Sequence, residues 1–406
     1  MPKAVQARMR QHQDAAEARP DKWIRYDYPD LIDTSRQALA DYLNVPVEEI
    51  VMIHNATTGV NTVLSNLVYE AGDVIIYFST IYGSCEKTIE YMLETRPVES
   101  HRIDLTFPVS NAAVVDRFQD AIKAIRSAGK NPRVAVYDTI VSMPGVRLPF
   151  EDLTKVCREE NILSCIDAAH GIGHIALDLP KLNPDFWFSN CHKWLYTPRS
   201  SAVLYVPIRN QHLIRSTMPT SHGFQPRPKE GASVINNPLP PSSKSNFVEQ
   251  FEFIGTLDNS PYLCVPEALA WRSRIRWQDK QGEEAVMSYC NHLARCAGKV
   301  VAEILGTEVM ENQDGTLEDC NFSNVRLPLS VQEVFGGDHG KAVEAAQWMS
   351  KVMVDEHDTF LALLIHGDAL WVRLSAQVYL VEEDFKWGGE VLKKVCEQAK
   401  ERARKS

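Results

Sequence analysis

The 406-residue sequence has no CxxC pair among its nine cysteines, no long apolar run and no excess of positive charge. The first absence removes the spacing of a zinc ribbon or a redox dithiol, so no metal is expected. An odd set of thiols instead fits a reducing compartment, by default the cytosol. The longest apolar run, Phe360 to Ile365, is far shorter than the ~20 residues of a membrane span. The opening MPKAVQARMRQHQ lacks the apolar core of a signal peptide. With 43 Lys and Arg against 53 Asp and Glu, the formal charge is −10, which disfavours nucleic acid or an anionic membrane as the main partner. Repeats at solenoid periods and low-complexity tracts are also missing.

What is present is ordinary globular material, 44% hydrophobic, in a chain long enough for one large domain and a smaller companion. Residues 3 to 43 read as two helices broken at Arg19-Pro20. Beyond Pro46, short apolar runs bounded by turn residues alternate with helical stretches: VIIYF (74 to 78), RVAVY (133 to 137), ILSCI (162 to 166), DFWFS (185 to 189) and SAVLYV (201 to 206). Strands separated by helices predict an α/β fold with a mostly parallel central sheet. From Thr58 the positions Val60, Val63, Leu64, Leu67 and Val68 follow the spacing of a helix with one buried stripe. Residues 225 to 245 are rich in proline and polar residues and predict a long loop. A helical stretch (263 to 305), a strand near 323 to 327, a helix from 340 to 355, the strand LWVRLS (370 to 375) and a last helix from 383 form a smaller α+β domain. The expected division is 1–45, 46–260 and 261–406.

Three segments at strand ends could carry chemistry. His54-Asn55-Ala56-Thr57-Thr58-Gly59 opens the helix, where N–H groups and small hydroxylated residues suit an anion; a plain N-cap is the other reading. Asp167 ends a buried strand, at the rim where open α/β sheets place their ligands. It could hold a protonated ring nitrogen or cap the next turn. Lys193, in SNCHKW, stands just beyond another strand in surroundings that suit an imine-forming amine. Together these form a phosphate anchor, a pyridinium partner and a reactive amine.

The motifs NATTGVNT, SMPGVRLP, DAAHGIG, SNCHKW and GTLDNSP resemble pyridoxal-phosphate enzymes of fold type I, in the class V aminotransferase and cysteine desulfurase group. Within it they are similar to the isopenicillin N epimerase-like branch and to fungal lyases that release ergothioneine from hercynylcysteine sulfoxide. The resemblance spans nearly the whole chain. It implies pyridoxal 5'-phosphate as cofactor and Lys193 as the residue bonded to it. It implies Asp167 against the pyridine nitrogen and His170 near the ring oxygen, where desulfurases commonly have glutamine. Ala56, Thr57, Asn190 and His192 are implied at the phosphate. Thr256 is implied to complete the site of a second subunit, hence a homodimer. Arg373 resembles the arginine that grips a substrate carboxylate, a salt bridge being its plainer role. Tyr82 falls where the family places an aromatic over the ring, a packed or surface tyrosine being the alternative.

The desulfurases also carry a late, mobile cysteine that accepts sulfur, whereas no cysteine lies between Cys320 and Cys396. Sulfur transfer to the enzyme is therefore disfavoured. Relatives usually begin with a further segment containing an Asn-His-Gly-Ser-type turn, and this sequence opens just beyond it. The resemblance implies lysis of a carbon–sulfur bond in a cysteine S-conjugate or sulfoxide, for which Tyr82 is a candidate proton donor to the leaving sulfur. The alternatives are epimerisation, transamination or C–C and C–N bond formation in fungal secondary metabolism, or a truncated protein without activity.

Overall fold

The computed structural model describes residues 1–220, 224, 226, 227, 240 and 242–405. The Pro-rich stretch 225–245 falls mostly outside them. The described residues form two compact units: 1–103 with 119–139 and 150–275, and 104–118 with 140–149 and 276–406.

The first unit is built on a seven-stranded sheet. Its strands are β1 (Ile50–Ile53), β2 (Asp73–Phe78), β3 (Val98–Ile103), β4 (Asn131–Asp138), β5 (Leu163–Asp167), β6 (Phe186–Ser189) and β7 (Ala202–Tyr205), in the order β1-β7-β6-β5-β4-β2-β3. Strands β6, β5, β4, β2 and β3 pair in parallel; β7 runs antiparallel to both β6 and β1. All five expected runs are strands, because β-branched and aromatic residues buried on both faces leave no polar side to mark an amphipathic helix. Two strands carried no such signal. β3 is the sheet's edge, and its VESHRI sequence is half polar because much of it meets solvent. β1 has only four residues.

The helix beginning at the ATTG motif spans Ala56–Asn66, with Asn55 as N-cap accepting from the Thr58 N–H at 2.8 Å. Val60, Val63 and Leu64 are fully buried, each such side chain contributing about 1.5–3 kcal/mol. Val68 does not extend that stripe: the helix has ended and Val68 is 75% exposed. Gly59 lets the helix approach the sheet, since a Cβ there would lie 2.7 Å from Phe188 Cγ. At the N-terminus, the break at Arg19-Pro20 separates Lys3–Ala18 from Pro20–Lys22, a wider turn Trp23–Asp27 and Tyr28–Leu43. Val5 and Met9 of the first helix pack on Cys264 and Ala268.

The second unit holds the short ladder β8 (Arg276–Trp277) and β9 (Lys280–Gln281), then β10 (Phe322–Ser330), β11 (Ala362–His366) and β12 (Ala369–Ser375). The last three form an antiparallel sheet with β12 in the centre, packed by helices Glu283–Leu305, His339–His357 and Glu382–Lys405. The ladder corrects the reading of 263 to 305 as one helical stretch. Helix Val265–Arg272 stops before it, and Gln278 and Gly282 adopt positive φ around its turn, a conformation a helix interior does not allow.

Candidate functional site

The carboxyl ends of β4, β5 and β6 bring together Asp138, Asp167 and Ser189, the edge at which open α/β sheets bind ligands. The turn after β5 is stapled to β6. Ala168 N–H donates to Phe188 O at 2.9 Å, Ile172 N–H donates to Ser189 Oγ at 3.0 Å, and the Ser189 hydroxyl donates to Ala168 O. Asp167 is thereby held in place and almost fully buried. Its Oδ1 accepts from Ala169 N–H at 2.8 Å and its Oδ2 from the Cys85 thiol at 3.2 Å. Burial raises the Asp167 carboxyl above its ordinary range, opposed by those two hydrogen bonds and by the charge of Lys193.

Lys193 sits in the short helix Cys191–Trp194, with Nζ 3.0 Å from His170 Nε2. The next residue determines what this contact means. Trp194 Nε1–H donates to His170 Nδ1 at 3.1 Å, and an indole nitrogen has no lone pair to offer in return. Nδ1 is therefore an acceptor, and in the neutral imidazole the ring proton lies on Nε2, facing Lys193. The contact orients the Lys193 side chain against the imidazole edge, and the amine is nucleophilic from that position once it has lost its proton. Trp194 is itself fixed. Its ring lies 3.9 Å from that of His174, and its carbonyl accepts from the buried Arg272 at 2.6 Å.

At the N-terminus of helix Ala56–Asn66 the contacts differ from the expectation in one respect. The Ala56 N–H, expected at an anion, is already used by Asn190 Oδ1 at 2.9 Å. Asn190 thus ties this helix to the lysine segment, and Thr57 is the residue that opens, with His54 and Thr58, onto a cleft of about 440 Å³. His192 Nδ1 contacts Ser201 O at 2.8 Å, and burial lowers its pKa below the ordinary histidine value. Tyr82 precedes helix Gly83–Thr95 and is 49% exposed, and Thr256 is also exposed.

Arg373 belongs to the second unit, on β12. Its Nη1 donates to Ser142 O at 2.6 Å and its guanidinium lies 4.4 Å from the centre of the Phe322 ring. Nε is buried without a partner, and burial lowers the group to about 10. Among the described residues it forms no ion pair. Gly145 allows this packing, because a Cβ there would lie 2.6 Å from Arg373 Cδ. The side-chain amide of Asn324 holds Gly145 through both its N–H, at 2.8 Å, and its carbonyl, at 2.9 Å.

Sequence reasoning missed Cys85 and Asp138, and quoted Trp194 only as part of a motif. Asp138 had a signal, since it follows the run RVAVY as Asp167 follows ILSCI. Cys85 had none, because its partner is distant in sequence.

A reactive lysine, a buried acid at a strand end and a helix N-terminus with a threonine fit a cofactor that has an aldehyde, a basic ring nitrogen and a phosphate. The fold and this donor set define a pyridoxal-phosphate enzyme of fold type I. The aminotransferase class-V family model matches residues 2–234, more than half of the chain, and the chain belongs to that family. Within it, the chain falls among the cysteine desulfhydrase-like carbon–sulfur lyases. It is 36% identical to the L-cysteine desulfhydrase-like protein lolT1 of Epichloe uncinata, over 98% of this chain and 90% of that protein. It is 29% identical to the hercynylcysteine sulfoxide lyase of Schizosaccharomyces pombe, over 94% and 88%. In fold it is similar to a variant of the lyase C-DES with glycine covalently linked to the PLP cofactor, with a TM-score of 0.73, 16% identity and 98% and 93% of the two chains covered.

Proposed function

We propose that the protein cleaves the carbon–sulfur bond of a cysteine S-conjugate or sulfoxide, of the hercynylcysteine sulfoxide type used in making ergothioneine. The observation that carries this reading is the Trp194–His170–Lys193 chain, 3.1 Å and 3.0 Å long, which orients the lysine amine at the same sheet edge as a buried acid. When bound, pyridoxal phosphate supplies an electron sink for the α-carbon of an amino acid.

The residues divide the remaining work. Lys193 would hold the cofactor covalently, and its amine would take the α-proton of the substrate. Asp167 would hold the ring nitrogen through its negative charge, and His170 would offer a hydrogen bond to the ring oxygen. Thr57 and His192 bind the phosphate; Asn190 and Ala56 hold the helix end that presents Thr57. Arg373 accepts the substrate carboxylate, for which its forked donors are suited. Tyr82 donates a proton to the leaving sulfur. Thr256 completes the phosphate site of a second copy, so the working unit is a homodimer, and nine unbridged cysteines suit the cytosol.

Incubation with a panel of cysteine S-conjugates and sulfoxides, hercynylcysteine sulfoxide included, tests this by mass detection of the sulfur product together with pyruvate and ammonia. Release of pyruvate from one class supports it. Exchange of the α-hydrogen without pyruvate would sink the lyase reading in favour of epimerisation or transamination.

A further inference from the structure

Asp138 stands outside the roles above, yet it is buried beside them. It ends β4 as Asp167 ends β5, and the two are register partners on neighbouring parallel strands, so their side chains project to the same face. Exposure is 4% for Asp138 and 1% for Asp167. Two carboxylates so placed in a dry site cannot both ionise, and the surrounding donors decide which keeps its charge.

The donors are unequal. Asp167 accepts from the Ala169 N–H and the Cys85 thiol, whereas the hydrogen bond favouring charge on Asp138 comes from its own backbone. Cys85 remains a thiol donor, because burial and then the charge of Asp167 push its pKa up. The groups acting on Asp138 are Asp167 on β5 and Lys193 on helix Cys191–Trp194, and the thiol of Cys85 on helix Gly83–Thr95 lies within its influence. Burial and then the charge of Asp167 raise its carboxyl well above the ordinary range, and Lys193 opposes them.

We infer that Asp138 and Asp167 form a buried carboxyl pair holding one proton, and that the proton resides on Asp138, so that the negative charge is confined to Asp167. Asp138 is then a positioning residue that acts through Asp167. Its value to the enzyme rests on the reading that Asp167 faces the ring nitrogen; its protonation does not.

The test uses the full chain without cofactor. A carboxyl whose pKa is higher in the folded than in the unfolded state contributes stability that is fully present below the unfolded value, about 4. That contribution is lost as pH rises toward the folded value. Asparagine mimics the neutral acid and has no proton to lose. The urea midpoint of Asp138→Asn relative to wild type should therefore rise between pH 5 and pH 8, by on the order of 0.5 M. In an Asp167→Asn background this rise should shrink, because the repelling charge is gone. A difference that is flat or falls with pH overturns the proposal. Should Asp138→Asn not fold, carbon-13 carboxyl NMR of the wild type at pH 7 decides: one buried aspartate in the neutral form supports the pair, and full ionisation overturns it. None of these readouts involves cofactor or substrate, so failure of the lyase reading would leave them intact, whereas their failure would leave that reading standing.

Discussion

Asp167, almost fully buried, and Arg373, half-buried, are both charged groups proposed to contact ligands, and their surroundings differ. Asp167 is wired before any ligand arrives, with an N–H on one oxygen, a thiol on the other and a turn stapled to the next strand. Arg373 has a carbonyl on one nitrogen, an aromatic ring beside it and a buried Nε with no partner. A satisfied group holds its geometry for a cofactor that stays. An under-satisfied cation stores a desolvation cost that an incoming carboxylate relieves. On the proposed roles, the contrast is that between a resident group's site and a visitor's.

The comparison can be broken or sharpened by substitution. Lys193→Ala should have the largest effect, a loss of product formation of about 10⁴-fold or more. Borohydride should then fail to fix pyridoxal phosphate to the protein, as read by intact mass. Next comes the pair that sets the two regions against each other. Asp167→Ala orphans the Ala169 N–H and should lower the unfolding free energy by about 1–3 kcal/mol, along with activity. Arg373→Gln should raise KM by about 10–100-fold, from the loss of a charge-assisted hydrogen-bond pair, without loss of stability, because a half-buried cation whose Nε has no partner is removed. If urea denaturation shows Arg373→Gln to be the more destabilised of the two, the contrast is wrong.

Trp194→Phe should act more gently. It removes the donor on His170 Nδ1, so nitrogen-15 NMR should show the ring losing its single tautomer, with a rate loss of about 10-fold. An unchanged tautomer would show that Trp194 does not set it. Asn55→Ala, which removes the N-cap of helix Ala56–Asn66, should cost about 1 kcal/mol of stability, measurable as a lower denaturation midpoint.

Legibility in the sequence followed locality. The strand at 162 to 166 and the acid that ends it were visible together, because a buried apolar run and its terminal residue are adjacent in sequence. The same holds for Lys193, just beyond β6. β3 escaped because an edge strand half in solvent need not be apolar. Residues 276–281 were swept into a helical stretch because a two-residue ladder leaves no periodicity to detect. The use of the Ala56 N–H by Asn190, 134 residues away, and the thiol of Cys85 on Asp167, 82 residues away, have no local trace at all.

By itself the sequence determined the alternation of buried strands and helices, the acid and the lysine at strand ends, and through its motifs the family and cofactor. These depend on short-range pattern, which survives in one dimension. Only the tertiary structure decided which neighbours each of those residues would have: the indole that sets the tautomer of His170, the second carboxyl beside Asp167, and the half-buried guanidinium of Arg373 without an ion-pair partner among the described residues. Charge state and hydrogen-bond direction depend on distances between chain segments and on the exclusion of water, and neither quantity exists until the chain has folded.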